Sequence, residues 1–122
     1  RARLRPGIEL VLAATRFAEA VAGADLVLTG EGRTDAQTAM GKAPAGVAAA
    51  ARAQGVPVVC LSGSLGDGWE AVLDAGIDAV ECVAPGPLTL EESMARAAEL
   101  IEAAAARVCR MVKVGGRLGA RR

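Results

Sequence analysis

The sequence has no histidine and no tyrosine, and only one Phe and one Trp among its 122 residues. Without histidine, a Ser-His-Asp or Cys-His engine is excluded within this chain, and a zinc site loses one of its main ligand types. With so few aromatics, Ala, Val and Leu must fill any core, which favours close packing of helices on a sheet. Charge of one sign is missing too, since 14 basic residues balance 14 acidic ones. A general nucleic-acid binder carries a basic excess. Here the basic residues gather only in "RARLR" at the start and "RLGARR" at the end, which read as solvated termini. No apolar stretch approaches the roughly 20 residues that span a bilayer, and no signal-peptide pattern opens the chain. Cys60, Cys82 and Cys109 match no CxxC spacing. Cys60 and Cys82 sit inside apolar runs, so the cysteines read as small buried thiols of a cytoplasmic protein and not as a disulfide framework.

What is present is a strongly apolar chain, 52% hydrophobic, long enough for one compact domain with a real core. Its elements alternate. "PGIELVLAATRFAEAVAGA" has near-helical apolar spacing, with Pro6 near its start and Gly23 at its end. "DLVLTG" is a short apolar run and predicts a strand. "APAGVAAAARAQG" predicts an Ala-rich helix closed by Gly55. "VPVVCLSG" predicts a second strand, continuously apolar as in parallel sheets covered on both faces. "GDGWEAVLDAG" predicts a short helix with Asp67 as N-cap and Gly76 as C-cap, and "IDAVECVAPG" a third strand. "TLEESMARAAELIEAAAARVCRMV" predicts one long helix. Thr89 and Glu92 form its capping box, and Leu90, Met94, Ala97, Ala98, Ile101 and Ala105 form its apolar stripe. "KVGGRLGARR" reads as a loose tail. The expected fold is α/β: a three-stranded parallel sheet near residues 25–29, 56–61 and 78–83, with helices packed on it. Residues 1–112 form one domain and 113–122 a basic flexible tail. Three strands make a small sheet, which points to a portion of a larger α/β protein.

In a parallel sheet all strands end on one edge, where ligands of open α/β folds bind. The loops expected there are "GEGRTDAQTAMGK", "SGSLGDG" and "APGPLT", all rich in Gly, Ser or Pro. The opposite loops, "AQG", "DAG" and "AGA", are plainer. Gly30 and Gly32 let a ligand approach the backbone and leave amides free to donate. Arg33 offers a planar fork for a carboxylate or phosphate. Lys42 offers a compact positive charge. Glu31 and Asp35 can accept a hydroxyl proton or hold a magnesium ion. The plain alternative is a turn whose charges pair with one another. The run is no Walker A loop, because Ala36 and Ala43 stand where Gly and Ser or Thr are required. "GSLGDG" is no dinucleotide fingerprint, yet Gly63, Ser64, Gly66 and Gly68 suit a phosphate beside the helix that holds Trp69.

"ADLVLTGEGRTDAQTAMGKAPAGVA", "GVPVVCLSGSLGDG" and "AGIDAVECVAPGPLTLEESM", in this order, resemble the C-terminal part of the bacterial glycerate kinase family related to glycerate 2-kinases. The resemblance runs from about Leu4 to Val112. It implies a larger, two-domain, Rossmann-like kinase that phosphorylates D-glycerate with ATP and Mg2+ in an interdomain cleft. It also implies that Glu31, Arg33, Asp35, Gln37, Thr38 and Lys42 line that cleft. From side-chain chemistry, Asp35 is expected as base or magnesium contact, Arg33 for the glycerate carboxylate and Lys42 for phosphate charge. Glu31, Gln37 and Thr38 are expected at the substrate, and Gly30, Gly32, Ser62, Gly63 and Ser64 at the nucleotide. The partner expected is the missing N-terminal part of the same kinase, with neither nucleic acid nor membrane, and with self-association left open. The other reading is a non-catalytic α/β module that binds an anion or other ligand, and a third is a fragment that needs another polypeptide to complete its fold.

Overall fold

The computed structural model describes Leu4 and residues 7–121. Pro6 and most of "RARLR" therefore lie outside the described residues. The elements in chain order are α1 (Gly7–Ala14), α2 (Phe17–Val21), β1 (Val27–Thr34), α3 (Ala43–Ala53), β2 (Val58–Leu65), α4 (Ala71–Asp74), β3 (Ala79–Cys82), α5 (Leu90–Ala95) and α6 (Ala97–Ala120). The three strands form one parallel sheet in the order β1-β2-β3. Val27 pairs with Val58 in the first ladder and Cys60 with Val80 in the second. The parallel three-stranded sheet expected from the alternating pattern is present. No helix among the described residues is long and apolar enough to cross a membrane.

Strand β2 is the centre. Alternate residues of a strand face opposite ways, and here both ways are covered. Val58 and Cys60 belong to a core with Val21, Ala48, Ala51, Val72 and Ile77, under α2, α3 and α4. Leu61 belongs to a second core with Val83, Leu100, Ala104 and Val108, and Val59 packs against it. Ala48, Ala51 and Ala104 are fully buried. Their small size lets helix backbones lie close to the sheet, as the scarcity of aromatics requires. Each fully buried Val or Leu contributes about 1.5–3 kcal/mol.

The first two strands run further than their apolar stretches. β1 continues through Gly30, Glu31, Gly32 and Arg33, and β2 through Ser62, Gly63 and Ser64. The pairing extends to Glu31↔Ser62, Arg33↔Ser64 and Thr34↔Leu65. Glycine depresses strand propensity, but cross-strand pairing overrides it. Gly63 permits the approach, since a Cβ there would lie 2.5 Å from the Gly32 carbonyl oxygen. The first five of the thirteen residues of the expected first loop, Gly30 to Thr34, are therefore strand.

Four local expectations need correction. The first helix is interrupted at Arg16, which has φ 56°. Asp67 caps no helix: residues 67–70 form turns, and α4 begins only at Ala71 with Glu70 at its N-cap position. The long helix breaks at Arg96 (φ −110°, ψ 17°) into α5 and α6. The tail is not loose at 113–120, because α6 runs on to Ala120. Its last buried residue is Val108. Beyond that point each residue adds one helical hydrogen bond without nucleation cost, and Lys113, Arg117 and Leu118 are good helix formers. The Thr89 capping box is present. The Thr89 hydroxyl accepts from the Glu92 amide at 3.0 Å, and the Glu92 carboxylate accepts from the Thr89 amide at 3.3 Å. Gly55 (φ 71°) and Gly76 (φ 106°) follow α3 and α4 as expected.

Candidate functional site

The site is built where β1 and β2 leave the sheet side by side. Two loops follow them, and they are laced together. The Gly66 amide donates to the Thr34 carbonyl at 2.7 Å, and the Ala36 amide to the Asp67 carbonyl at 3.1 Å. Gly68 has φ 74°, and a Cβ there would lie 2.8 Å from the Ala36 side chain. Under this lacing sits a buried polar chain. The Thr34 hydroxyl donates to Ser62 Oγ at 2.8 Å, and Ser62 Oγ donates to the Ser64 carbonyl at 2.6 Å. Thr34, Thr38 and Ser62 are all fully buried. A buried hydroxyl without a partner costs about 1–3 kcal/mol, so this chain fixes how the two strand ends sit against each other.

On that support stand the charged groups. Glu31 Oε1 accepts from the Gly32 amide at 3.2 Å. Asp35 closes its own turn: its Oδ1 accepts from the Gln37 amide at 2.9 Å, while its amide donates to the Thr38 hydroxyl at 3.1 Å. This is the local side-chain bonding that Asp and Thr favour in turns. Arg33 Nε lies 3.7 Å from Asp35 Oδ2, with the Arg33 side chain 64% exposed. A pair at that distance and exposure is worth at most about 1 kcal/mol. Arg33 can therefore exchange it for a ligand carboxylate or phosphate. Its guanidinium also passes close over Gly66, where a Cβ would lie 2.5 Å from Nη2. Beneath the site, burial pushes the Cys60 thiol up, with a hydrogen bond to Thr34 pulling it down and the Glu31 charge pushing it further up. Cys60 is therefore a packed thiol and no nucleophile.

Beside these loops lies an open groove of about 1620 Å3. Gly30, Glu31, Gly32, Arg33, Gly63 and Ser64 line it, with Leu28, Leu90, Met94 and Ile101 among its apolar walls. The structure thus gathers six of the expected residues on one surface. Asp35, Gln37, Thr38, Lys42 and Ser62 do not line it. Asp35 stays linked to it through Arg33. The hydroxyls of Thr38 and Ser62 are buried and already bonded, so these two residues hold the loops. The Gln37 and Lys42 side chains are exposed; Lys42 stands at the N-terminus of α3 with no salt bridge to the others among the described residues. Thr34 was not singled out from the sequence, although it is the hinge of the buried chain. A Thr directly after a charged strand residue gives little warning of burial. The apolar groove walls were also missed, because their exposure depends on what faces them.

A magnesium site was also expected at Asp35. Among the described residues no three His, Cys, Asp or Glu side chains gather as a metal site. Asp35 also has one oxygen on the Gln37 amide and the other beside a guanidinium. The arrangement suits an anion better than a resident cation. Amides, an arginine and closely paired glycines at the ends of parallel strands are the components of an oxyanion or phosphate cradle.

The sequence model of the Glycerate kinase family matches residues 1–113. A glycerate kinase from Halalkalibacterium halodurans is 54% identical over 104 residues, which is 85% of this chain and 27% of that protein. A glycerate kinase from Bacillus subtilis is 44% identical over 114 residues, 93% of this chain and 30% of the relative. The glycerate 2-kinase of Escherichia coli is 39% identical over 116 residues, 95% and 30%. A solved structure from Salmonella typhimurium LT2, provisionally named glycerate kinase 2, superposes with a TM-score of 0.70 at 39% identity, over 96% of this chain and 28% of that one. The chain spans under a third of the length of these relatives.

Proposed function

The chain belongs to the glycerate kinase family, and on that premise we propose that residues 1–112 form one α/β unit carrying the anion-holding wall of a glycerate kinase site. The reaction is transfer of the terminal phosphoryl group of ATP to a hydroxyl of D-glycerate, in the cytoplasm, completed by the rest of the kinase. The observation that carries this reading is the lacing of the 34–38 and 64–68 segments at one edge of a parallel sheet, with Arg33 and Asp35 standing on it.

Phosphoryl transfer asks the protein mainly for position and charge compensation. Arg33 exchanges its weak contact with Asp35 for the glycerate carboxylate, held bidentately. That exchange frees Asp35 to accept the proton of the attacking hydroxyl. Lys42 offsets phosphate charge from the N-terminus of α3. The amides of Gly32 and Ser64 donate to phosphate oxygens, Gly63 lets the two strands close up beneath them, and Gly30 keeps the strand bare enough for close approach. Glu31 and Gln37 contact substrate hydroxyls, while Thr38 and Ser62 keep the loops in place. Mg2+ brought by ATP would supply further charge neutralisation, and of the residues here Asp35 would be the one to contact it once Arg33 has turned to the substrate.

One wall does not make a closed site. Losing the opposite wall forfeits a large part of a positioning contribution of about 7–11 kcal/mol. A coupled assay of the isolated chain with ATP and glycerate should therefore read background. A thermal shift with phosphate or glycerate should still be seen, from the cradle alone. Robust turnover by the isolated chain would overturn the one-wall reading. The second reading, an anion-binding module without turnover, draws on the same cradle and on the small share of the relatives that this chain spans. It requires that a reassembled full-length protein still give no glycerate-dependent ATP consumption.

A further inference from the structure

We infer that Gly66 is a positioning residue for Arg33: its bare backbone is the seat that holds the guanidinium beside Asp35 and within reach of an anion in the groove. The task given to Arg33 rests on the glycerate reading above, while the seat itself rests on the geometry of this chain. Gly66 lies in the second loop, where a glycine ordinarily serves a turn of positive φ. The described glycines with positive φ are Gly41, Gly55, Gly68 and Gly76, and Gly66 is not one of them. Its backbone therefore does not demand glycine, and what remains as the reason is space.

One side chain takes that space. Gly66 is buried, although Leu65 and Asp67 on either side of it are exposed. A Cβ at Gly66 would lie 2.5 Å from Arg33 Nη2 and 2.8 Å from both Cζ and Nε, and these three are its nearest atoms. Such a Cβ would strike the body of the fork and not one tip alone. Unstrained contacts between heavy atoms begin at about 3.5 Å, so one party must move by roughly 1 Å. The loop is held. The Gly66 amide donates to the Thr34 carbonyl at 2.7 Å, and the Gly66 carbonyl accepts from the Trp69 amide at 3.2 Å. The Ala36 amide holds the next carbonyl, that of Asp67, at 3.1 Å. With its amide already bonded, Gly66 serves the site through Arg33 and not by donating to a phosphate. Arg33 is the party free to move, since its side chain is 64% exposed and its contact with Asp35 is 3.7 Å long. A methyl group at position 66 thus drives the guanidinium off the second loop and leaves the lacing intact. A seated fork loses little freedom when it grips a carboxylate bidentately, whereas an unseated one must first be ordered.

The test is made in the reassembled kinase, with this chain joined to the remainder of the Halalkalibacterium halodurans relative. Gly66→Ala should leave the urea midpoint unchanged and raise the KM for glycerate about tenfold with kcat little changed, the pattern of lost substrate binding. The Arg33 Nε–H resonance of arginine-labelled protein, assigned by its loss in Arg33→Ala, should shift and exchange faster with water. Added to Arg33→Ala, Gly66→Ala should change KM no further, because its effect runs through Arg33. Gly23→Ala, where a Cβ meets nothing within 4 Å, should match the wild type throughout. An unmoved Arg33 resonance, an unchanged KM, a further rise of KM in the Arg33→Ala background, or a lowered urea midpoint with kcat falling alongside would each overturn the inference. The kinase reading fails separately. Absence of glycerate-dependent turnover in the wild-type kinase removes it, and the seat then stands or falls on the Arg33 resonance and on weaker binding of inorganic phosphate by Gly66→Ala.

Discussion

Thr34 and Ser62 show how much of the site depends on residues that never face a ligand. Their 2.8 Å hydrogen bond joins two strand ends in a fully buried place. Thr34→Val keeps the shape and leaves Ser62 Oγ without its donor. It should lower stability by about 1–3 kcal/mol, read from urea midpoints, whereas Thr34→Ser should restore most of the loss. Cys60 sets a second expectation. Its folded thiol titrates above the unfolded one. The thiol is neutral in both states below about pH 8.5, the ordinary value, and there its contribution is intact. As pH rises further, the unfolded state ionises first and stability falls. Urea midpoints at pH 7 and pH 10 should therefore separate more in the wild type than in Cys60→Ala. Equal pH sensitivity in the two proteins would remove burial of this thiol as a cause. In the sequence Cys60 is legible as buried, from its apolar neighbours. Cys82 and Cys109 are not: the first is half-buried and the second exposed, because the long helix turns Cys109 away from the sheet.

At the scale of elements, α6 is two helices in one. Leu100, Ala104 and Val108 anchor its first half on β2 and the segment after β3, and the Arg107 guanidinium reaches the Glu81 carboxylate at 3.1 Å. Its second half has no buried residue, and it carries three glycines that each cost about 1 kcal/mol relative to Ala. Leu100→Ala should cost about 2–5 kcal/mol, while Leu118→Ala should stay within about 0.5 kcal/mol, both by chemical denaturation. Comparable losses would mean that the second half is packed against something. The Thr89–Glu92 box marks the start of the last helical region correctly because it is a local device, satisfied within four residues. The ends of β1 and β2 are not readable in the same way. Gly30, Gly32 and Gly63 look like loop until the two strands are laid together. Only then does the missing Cβ of Gly63 become a reason for pairing.

At the scale of the whole molecule, alternation of apolar runs with Ala-rich helical stretches is enough to expect a parallel sheet, and hence a shared edge for the loops after its strands. That edge brings Gly30, Glu31, Gly32, Arg33, Gly63 and Ser64 together. Spacing along the chain could not show that Thr38 and Ser62 turn inward, nor that Lys42 stands apart, since those outcomes depend on which hydroxyls the packing buries. Nor could it show that one face of β1 stays open, with Leu28 40% exposed, since that depends on which faces the helices cover. The central claim is that Arg33 and Asp35, on laced loops, act on glycerate. The most direct measurement is steady-state kinetics of the reassembled kinase carrying Arg33→Ala or Asp35→Asn. Arg33→Ala should raise the KM for glycerate at least tenfold with kcat changed far less. Asp35→Asn should lower kcat by about 10²–10⁴ with KM nearly unchanged. Wild-type kinetics in both variants would contradict the account and move the chemistry to another part of the protein.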